Sequence, residues 1–173
     1  MSNIFLCSDH HLGHANILTF KRDDGTPLRY FSSIEDHDWY IINRHNSVVR
    51  PGDKVYFLGD VAISHKFLYM VGLMNGDKVL IKGNHDTHKL SHYAPYFRDI
   101  RAFHQFDGFA LSHIPIHPES LGRWGTNIHG HLHYRRVLDG NKVDTRYFNV
   151  SMECLEDYTP ISLEQIKQKL SNV

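Results

Sequence analysis

Cysteine is scarce in this sequence, and its two cysteines form no recognisable motif. Cys7 and Cys154 lie far apart, without a Cys-x-x-Cys pair, which excludes a disulfide framework and a thiolate zinc site. Long apolar runs are also missing. The run at residues 4–7 is much shorter than the apolar core of a signal peptide, and no later stretch reaches the length of a membrane span. We therefore expect a cytoplasmic protein with reduced cysteines.

An excess of charge of either sign is absent as well. Nineteen basic residues balance nineteen acidic residues, so net charge does not draw the whole chain to nucleic acid or to an anionic membrane. We expect a small-molecule partner and no membrane partner, with nucleic acid less favoured. The 173 residues, of which 41% are hydrophobic, suffice for the core of a single domain spanning residues 1–173.

Histidine, by contrast, is abundant, with fifteen residues. Seven of them show no partner pattern, and we assign them solvated or packing roles: His10, His37, His45, His65, His88, His92 and His104. Four short motifs of His or Asp beside Asn and Gly follow one another along the chain: Asp9-His10-His11, Gly59-Asp60, Gly83-Asn84-His85-Asp86, and His113 with Gly130-His131-Leu132-His133. Together the motifs offer enough oxygen and nitrogen ligands for two adjacent metal ions.

The first three motifs each follow a short, apolar, β-prone segment. We predict strands at residues 3–8, 54–58 and 78–82. A helix at roughly 33–49 and a second one beginning at Ser64 would separate these strands. Such alternation predicts a largely parallel sheet, in which ligands bind at the carboxyl ends of the strands.

Further elements follow in the second half of the chain. Residues 108–112, 126–129 and 148–151 are predicted strands, and the first two of them end at His113 and at the Gly130 motif. Capping boxes are predicted at Ser32 with Glu35, before the first helix, and at Ser162 with Gln165, before the last.

Spacing within the motifs indicates which side chains bind together. Asp9 and His11 lie two residues apart, so on an extended backbone both would project to the same side and chelate one ion. His131 and His133 repeat this spacing. His129 lies two residues before His131, so the same spacing would place it on the same side, and spacing alone does not exclude it as a ligand. Asp9-x-His11 alone is better explained as an ordinary turn after a strand, whereas His-x-His alone is moderately specific for metal. The ordered set of motifs favours a metal site.

The remaining motifs supply different chemistry. The two oxygens of Asp60 allow it to bridge two cations, which an imidazole cannot do. Asn84 offers a neutral carbonyl ligand, and His85 can carry a transferable proton. His113 and His117 are both candidates in their segment, and the position of His113 at a strand end favours it.

The ordered set of motifs resembles the calcineurin-like metallophosphoesterase family. The resemblance covers residues 4 to about 152 and is closest to the compact single-domain members of bacteria and phages. It implies an α/β fold, a four-layer αββα sandwich of two mixed β-sheets flanked by helices, with a dimetal site at the carboxyl ends of the strands.

The resemblance also implies a role for each motif residue. By motif position, the ligands are Asp9, His11 and His133 for the first ion, Asn84, His113 and His131 for the second, and Asp60 for both. His85 would be the general acid. Asp86 is included with it as a catalytic candidate whose role is mainly structural, orienting His85. His14, on the loop after the first motif, is the candidate substrate contact.

This ligand set suits the hydrolysis of a phosphoester. Two divalent cations about 3.5–4 Å apart can share a water, lower its pKa and stabilise an in-line displacement, while His85 protonates the leaving oxygen. Imidazole and oxygen ligands without thiolate favour Mn²⁺, with Fe, Ni²⁺, Co²⁺ or Zn²⁺ as alternatives. We expect a phosphodiesterase acting on a small substrate such as a nucleotide. The alternatives are a nuclease, a phosphomonoesterase and a non-catalytic scaffold on the same fold.

Overall fold

The computed structural model describes residues 2–171 and contains two mixed β-sheets, a small hairpin and several helices. The strands are β1 (Ile4–Cys7), β2 (Lys54–Phe57), β3 (Asp77–Ile81), β4 (Asp99–Arg101), β5 (His104–Phe106), β6 (Phe109–Leu111), β7 (Thr126–His129), β8 (Leu138–Asp139), β9 (Lys142–Val143), β10 (Tyr147–Asn149) and β11 (Ile161–Ser162). The α-helices are α1 (Ile34–Val48), α2 (Leu90–Tyr93) and α3 (Leu163–Ser171), and the 3₁₀ helices are Ala15–Leu18, His65–Leu73, Pro118–Arg123, Met152–Cys154 and Glu156–Tyr158.

The first sheet has the strand order β11-β1-β2-β3-β4. Strands β1 to β4 are parallel, and β11 is antiparallel at the edge beside β1. Cys7 pairs with Phe57, and Phe57 pairs with Leu80, so the carboxyl ends of three strands meet at one edge. These are the three strands predicted first, and each boundary agrees to within one residue.

The second sheet has the order β10-β7-β6-β5. Strand β7 is parallel to both β6 and β10, and β5 is antiparallel to β6. The sheets come together where Ser8 forms an isolated bridge with Ser151. A single core cluster includes Leu6 and Phe57 of the first sheet with Leu111 and Ile128 of the second. The two mixed sheets are confirmed, whereas strand–helix alternation alone predicts one largely parallel sheet.

The predicted helix starts differ in accuracy. At α3 the capping box is confirmed, because the Gln165 amide donates to the Ser162 hydroxyl and the Ser162 amide donates to the Gln165 side chain. At α1 the predicted box is wrong by one residue, since Ser33 is the N-cap and accepts from the Asp36 amide. Ser64 caps the second helix as predicted, but that helix is 3₁₀ in form. Within residues 2–171, no helix has both the length and the apolar character to cross a bilayer.

Candidate metal centre

The fold brings the four motifs to one place, where strand ends of both sheets meet. The Asp9 amide donates to the Gly59 carbonyl at 3.0 Å, which ties the first motif to the second. Across the second sheet, the Gly130 amide donates to the His113 carbonyl at 2.9 Å. The parallel register of β1, β2 and β3 therefore delivers the early motifs, and β6 and β7 deliver the late ones.

Two groups of side chains form at this edge. In the first cluster, Asp9, His11 and His133 each offer one ligand atom within 4.8 Å of the others. The Nε2 atom of His11 lies 3.8 Å from Asp9 Oδ1, and the rings of His11 and His133 stack with centroids 5.2 Å apart. The three residues predicted for the first ion therefore converge.

The second cluster consists of Asp60, His113 and His131, again with ligand atoms within 4.8 Å. Asn84 adjoins it, with its Oδ1 atom 3.0 Å from His113 Nε2. The residues predicted for the second ion are thus neighbours, and they include the carboxylate expected to bridge.

Asp60 lies between the two clusters. Its Oδ2 atom is 3.2 Å from His113 Nε2 in the second cluster and 4.0 Å from His11 Nε2 in the first. Its Oδ1 atom accepts a hydrogen bond from the His85 amide at 2.9 Å. One carboxylate oxygen therefore reaches both groups of ligands while the other holds the loop that carries His85.

The backbone at these residues is not extended. The prediction that residues two apart share one side of an extended strand is therefore wrong in its reason, although the side chains do lie together. Five of the predicted ligands have left-handed backbone angles, with φ of 61° at Asp9, 52° at His11, 53° at Asp60, 69° at His131 and 51° at His133. This conformation costs roughly 1–2 kcal/mol at a non-glycine residue. Strain of this kind persists where the surroundings enforce it, and it is concentrated at functional sites.

Two glycines make room for the carboxylates. A Cβ atom at Gly130 would lie 2.5 Å from Asp9 Oδ2 and would overlap the Ser8 hydroxyl. A Cβ atom at Gly83 would overlap Asp60 Oδ1. Because any side chain at these two positions would displace a ligand, the glycines are required by close approach.

Two of the candidate histidine ligands are held in orientation by a hydrogen bond from the Nδ1 atom of the ring. The Nδ1–H of His113 donates to the Leu58 carbonyl at 2.7 Å, and the Nδ1–H of His133 donates to Glu153 at 3.0 Å. The Nε2 atom of each ring takes no part in these bonds, and that of His113 lies among other candidate ligand atoms, 3.0 Å from Asn84 Oδ1 and 3.2 Å from Asp60 Oδ2. Metal-binding histidines are typically held in this way, with the second nitrogen donating to a carbonyl or a carboxylate.

Several polar atoms of the first cluster have no partner of their own. Within residues 2–171, Asp9 Oδ1 and both ring nitrogens of His11 are buried without a hydrogen bond, although buried polar groups are normally satisfied. Burial and the nearby charges of Arg29 and His133 lower the pKa of His11 well below its usual value, so this ring is neutral, the form that binds metal. These residues fit a cation as the missing partner.

Sequence reasoning missed a buried ion pair beneath the centre. Arg29 donates from Nε to Glu153 at 2.8 Å, and its other nitrogens donate to the carbonyls of His10 and Asp9. Both charged side chains are fully buried. The pair therefore braces the first motif and, through Glu153, the ring of His133. Neither residue lies in a motif, so no local signal marks them.

Asp86 acts on a different neighbour from the one predicted. Its carboxylate accepts hydrogen bonds from the amides of Asp60, Val61 and Gly83 at 2.8–3.1 Å. Among the described residues, no hydrogen bond joins it to the ring of His85. Its structural role is to fix Asp60 and to join two loops, and the orientation of His85 by Asp86 is a prediction that the contacts do not support.

Two further histidines stand at the mouth of the centre. His85 is exposed, and its ring meets that of His11 edge-on with centroids 5.9 Å apart. His14 is half-buried, with centroids 6.0 Å from both His11 and Phe20. The predicted acid and the predicted substrate contact are thus both beside the first cluster.

The alternatives that spacing left open are placed outside both clusters. His129 is buried, donates from Nδ1 to the Gly130 carbonyl, and has its pKa lowered by burial to about 4. His117 is exposed and accepts from the Glu119 amide at the start of a 3₁₀ helix. His10 is buried and stacks on Phe57, which is a packing role.

Comparison with other proteins places the chain among relatives. No family model matches it. An uncharacterized protein, MJ1445 of Methanocaldococcus jannaschii, is 35% identical over 174 residues, covering 96% of this chain and 90% of that protein. The gene 66 protein of Mycobacterium phage D29 is 26% identical, covering 100% of this chain and 98% of that protein.

A solved structure shares the fold. The crystal structure of AQ665, a protein of unknown function from Aquifex aeolicus, has a TM-score of 0.74 and 24% identity, covering 98% of this chain and 100% of that chain. Identity and coverage with the archaeal protein are high enough to show common descent, and the chain belongs to the same protein family as MJ1445 of Methanocaldococcus jannaschii.

Proposed function

We propose that the chain is a phosphodiesterase of the calcineurin-like metallophosphoesterase type, with two divalent cations as cofactors and Mn²⁺ favoured. One observation carries the proposal: Asp60 Oδ2 lies within 4.0 Å of the Nε2 atoms of His11 and His113, one from each ligand cluster. A carboxylate shared between two histidine clusters is what a dinuclear site requires. The proposal includes the four-layer sandwich, with helices outside the two sheets.

The proposed ligands are those of the two clusters. Asp9, His11 and His133 would hold one ion, Asn84, His113 and His131 the other, and Asp60 both. When bound, two such cations supply Lewis-acid stabilisation of the phosphoryl oxygens and activation of water for in-line displacement. The unpartnered Asp9 Oδ1 and His11 nitrogens support a cation at the first cluster, since a buried polar atom without a partner is costly.

His85 is the proposed general acid. Its backbone is held by Asp60 through the 2.9 Å hydrogen bond, while its ring stays exposed beside the first cluster. A histidine there can donate a proton to the leaving oxygen of a phosphoester, which matters most when the leaving group is a poor one.

A cleft beside the centre indicates the kind of substrate. It has a volume of about 430 Å³ and is lined by Phe20, Lys21, Leu28, His131, Leu132, His133, Tyr134 and Arg135. This volume is within the usual range for small-molecule sites. Aromatic rings beside cationic side chains suit an anionic ester with a flat organic group, which favours a small phosphodiester such as a nucleotide.

A nuclease is the second candidate, because the same cleft is locally basic. Arg22 and Arg135 both lie over the Tyr134 ring, at 5.2 and 5.6 Å from its centroid. However, Arg135 also forms a 2.6 Å ion pair with Asp23, which reduces the positive charge open to a polynucleotide. A steep loss of oligonucleotide affinity with rising salt would favour the nuclease over the small-substrate enzyme.

The proposal is tested with chelator-treated protein that is reloaded with Mn²⁺, Fe²⁺, Co²⁺, Ni²⁺ or Zn²⁺ in separate samples. We expect hydrolysis of bis(p-nitrophenyl) phosphate to return with metal, most strongly with Mn²⁺, and to exceed hydrolysis of p-nitrophenyl phosphate. Asp60→Asn should lose bound metal and activity, while the exposed Asp139→Asn serves as the matched control. Faster monoester hydrolysis would assign a phosphomonoesterase, and a metal-loaded protein inert toward every ester would leave only a scaffold.

A further inference from the structure

Three histidines outside the candidate centre lie together on its flank. His65 begins the 3₁₀ helix His65–Leu73, and His88 and His92 follow the Asp86 loop. One ring nitrogen of each lies within 4.8 Å of the other two. The ring centroid of His65 is 4.7 Å from that of His92 and 5.3 Å from that of His88. Sequence patterning gave these residues no partner, because His65 is distant from the other two along the chain.

The hydrogen bonds of this three-histidine cluster leave nitrogen lone pairs free. His88 Nε2 is 3.0 Å from the Ile63 carbonyl. A carbonyl only accepts, so this nitrogen carries a proton, and in the neutral ring it is His88 Nδ1 that has the lone pair. The Nδ1 atom of His92 is buried and, within residues 2–171, has no hydrogen-bond partner. Ring stacking alone would explain the proximity of the rings but not this unsatisfied nitrogen.

The chemistry of the donors selects the ligand. The cluster contains only imidazoles, without a carboxylate to attract Mg²⁺ or Ca²⁺ and without a thiolate. Three neutral imidazoles suit Zn²⁺ and its neighbours Co²⁺, Ni²⁺ and Cu²⁺, with a fourth position left for water. We propose that His65, His88 and His92 form a separate mononuclear site for a Zn²⁺-class ion.

An ion at this site would connect two loops of the candidate metal centre. His65 follows the loop that carries Asp60, and His88 follows the loop that carries Asn84 and His85. An ion held by both segments would tie the bridging carboxylate's loop to the loop of the proposed acid. The inference does not rest on the proposed function, because the ligands are different residues.

The test uses Co²⁺ alone as the probe, added to chelator-treated full-length protein. Visible absorption reports the coordination of Co²⁺, and elemental analysis counts bound ions per chain. We expect His65→Ala to bind one ion fewer than the wild type, or to bind that ion more than about tenfold more weakly, since even outer-shell changes cost this much. His65 is exposed, so the substitution should not impair folding, which circular dichroism checks.

Two further variants separate this site from the candidate centre. His117→Ala removes an exposed histidine outside all three clusters and should retain the full count of ions. Asp60→Asn should lose Co²⁺ from the candidate centre and retain the ion at His65. Equal stoichiometry and equal affinity in His65→Ala and His117→Ala would overturn the proposal, whatever the outcome at Asp60.

Discussion

Replacing Glu153 by glutamine removes the negative charge from the buried pair beneath the candidate metal centre. The side chains of Glu153 and Arg29 are both fully buried, with Arg29 Nε 2.8 Å from Glu153 Oε1. The substitution leaves the guanidinium buried without its counter-charge, a change that typically costs about 3–5 kcal/mol. We therefore expect Glu153→Gln to be strongly destabilised at neutral pH.

The pKa of Glu153 gives a second route to the same magnitude. Burial alone would raise this pKa, but the charges and hydrogen bonds of Arg29 and His133 outweigh it and lower the pKa from 4.5 to about 2. Each unit of difference between the folded and unfolded pKa corresponds to about 1.4 kcal/mol, so the ionised carboxylate contributes roughly 3 kcal/mol. Because the folded pKa is the lower one, this contribution is complete above pH 4.5 and is lost as the pH falls toward 2.

Urea denaturation of metal-free wild type and Glu153→Gln at several pH values measures this effect. The difference in unfolding free energy should be about 3 kcal/mol at pH 7 and less than about half of that at pH 3. Glu156→Gln, an exposed neighbour, should stay within about 0.5 kcal/mol of the wild type. A Glu153 variant as stable as this control at pH 7, or a difference that does not change with pH, would refute the reasoning.

Three further predictions concern the centre itself. Gly130→Ala should lose bound metal, because its Cβ atom would press on the Asp9 carboxylate, whereas Gly122→Ala, which meets nothing within 4 Å, should keep the full metal content in elemental analysis. His85→Asn should lower kcat by about 10²–10⁴-fold for a diester with a poor leaving group and much less for a nitrophenyl ester, with metal content unchanged. His14→Ala should lower kcat/KM at constant metal content, and an unchanged value would remove it as a substrate contact.

Much of the scaffold could be predicted because its signals are local. The strands ending near Asp9, Asp60 and Gly83 are short apolar runs followed at once by polar motifs. Such a run is typical of a strand buried in a core, so it can be recognised without knowing its tertiary neighbours. The capping box at Ser162 depends only on residues three apart, and the structure confirms it. At α1, two adjacent serines could each be the N-cap residue. The local pattern predicts Ser32, whereas Ser33 is the N-cap in the structure.

The rest of the centre could not be predicted because it is tertiary. Left-handed angles at Asp9 and His11 are imposed by contacts with the Gly59 and Asp60 loop, and parity arguments assume an extended chain. The Arg29 and Glu153 pair joins residues 124 positions apart, and neither has a motif. The predicted ligands lie together despite the wrong backbone assumption, because convergence at the strand ends decides which side chains meet.

Anomalous diffraction from crystals soaked in Mn²⁺ tests the dinuclear centre most directly. We expect two peaks about 3.5–4 Å apart, one contacting Asp9, His11 and His133 and the other contacting Asn84, His113 and His131, with Asp60 touching both. Two results would contradict the proposed dimetal centre, and with it the proposed hydrolase activity. One is a single peak that Asp60 does not contact, and the other is no peak among these side chains in crystals whose metal uptake is confirmed by fluorescence.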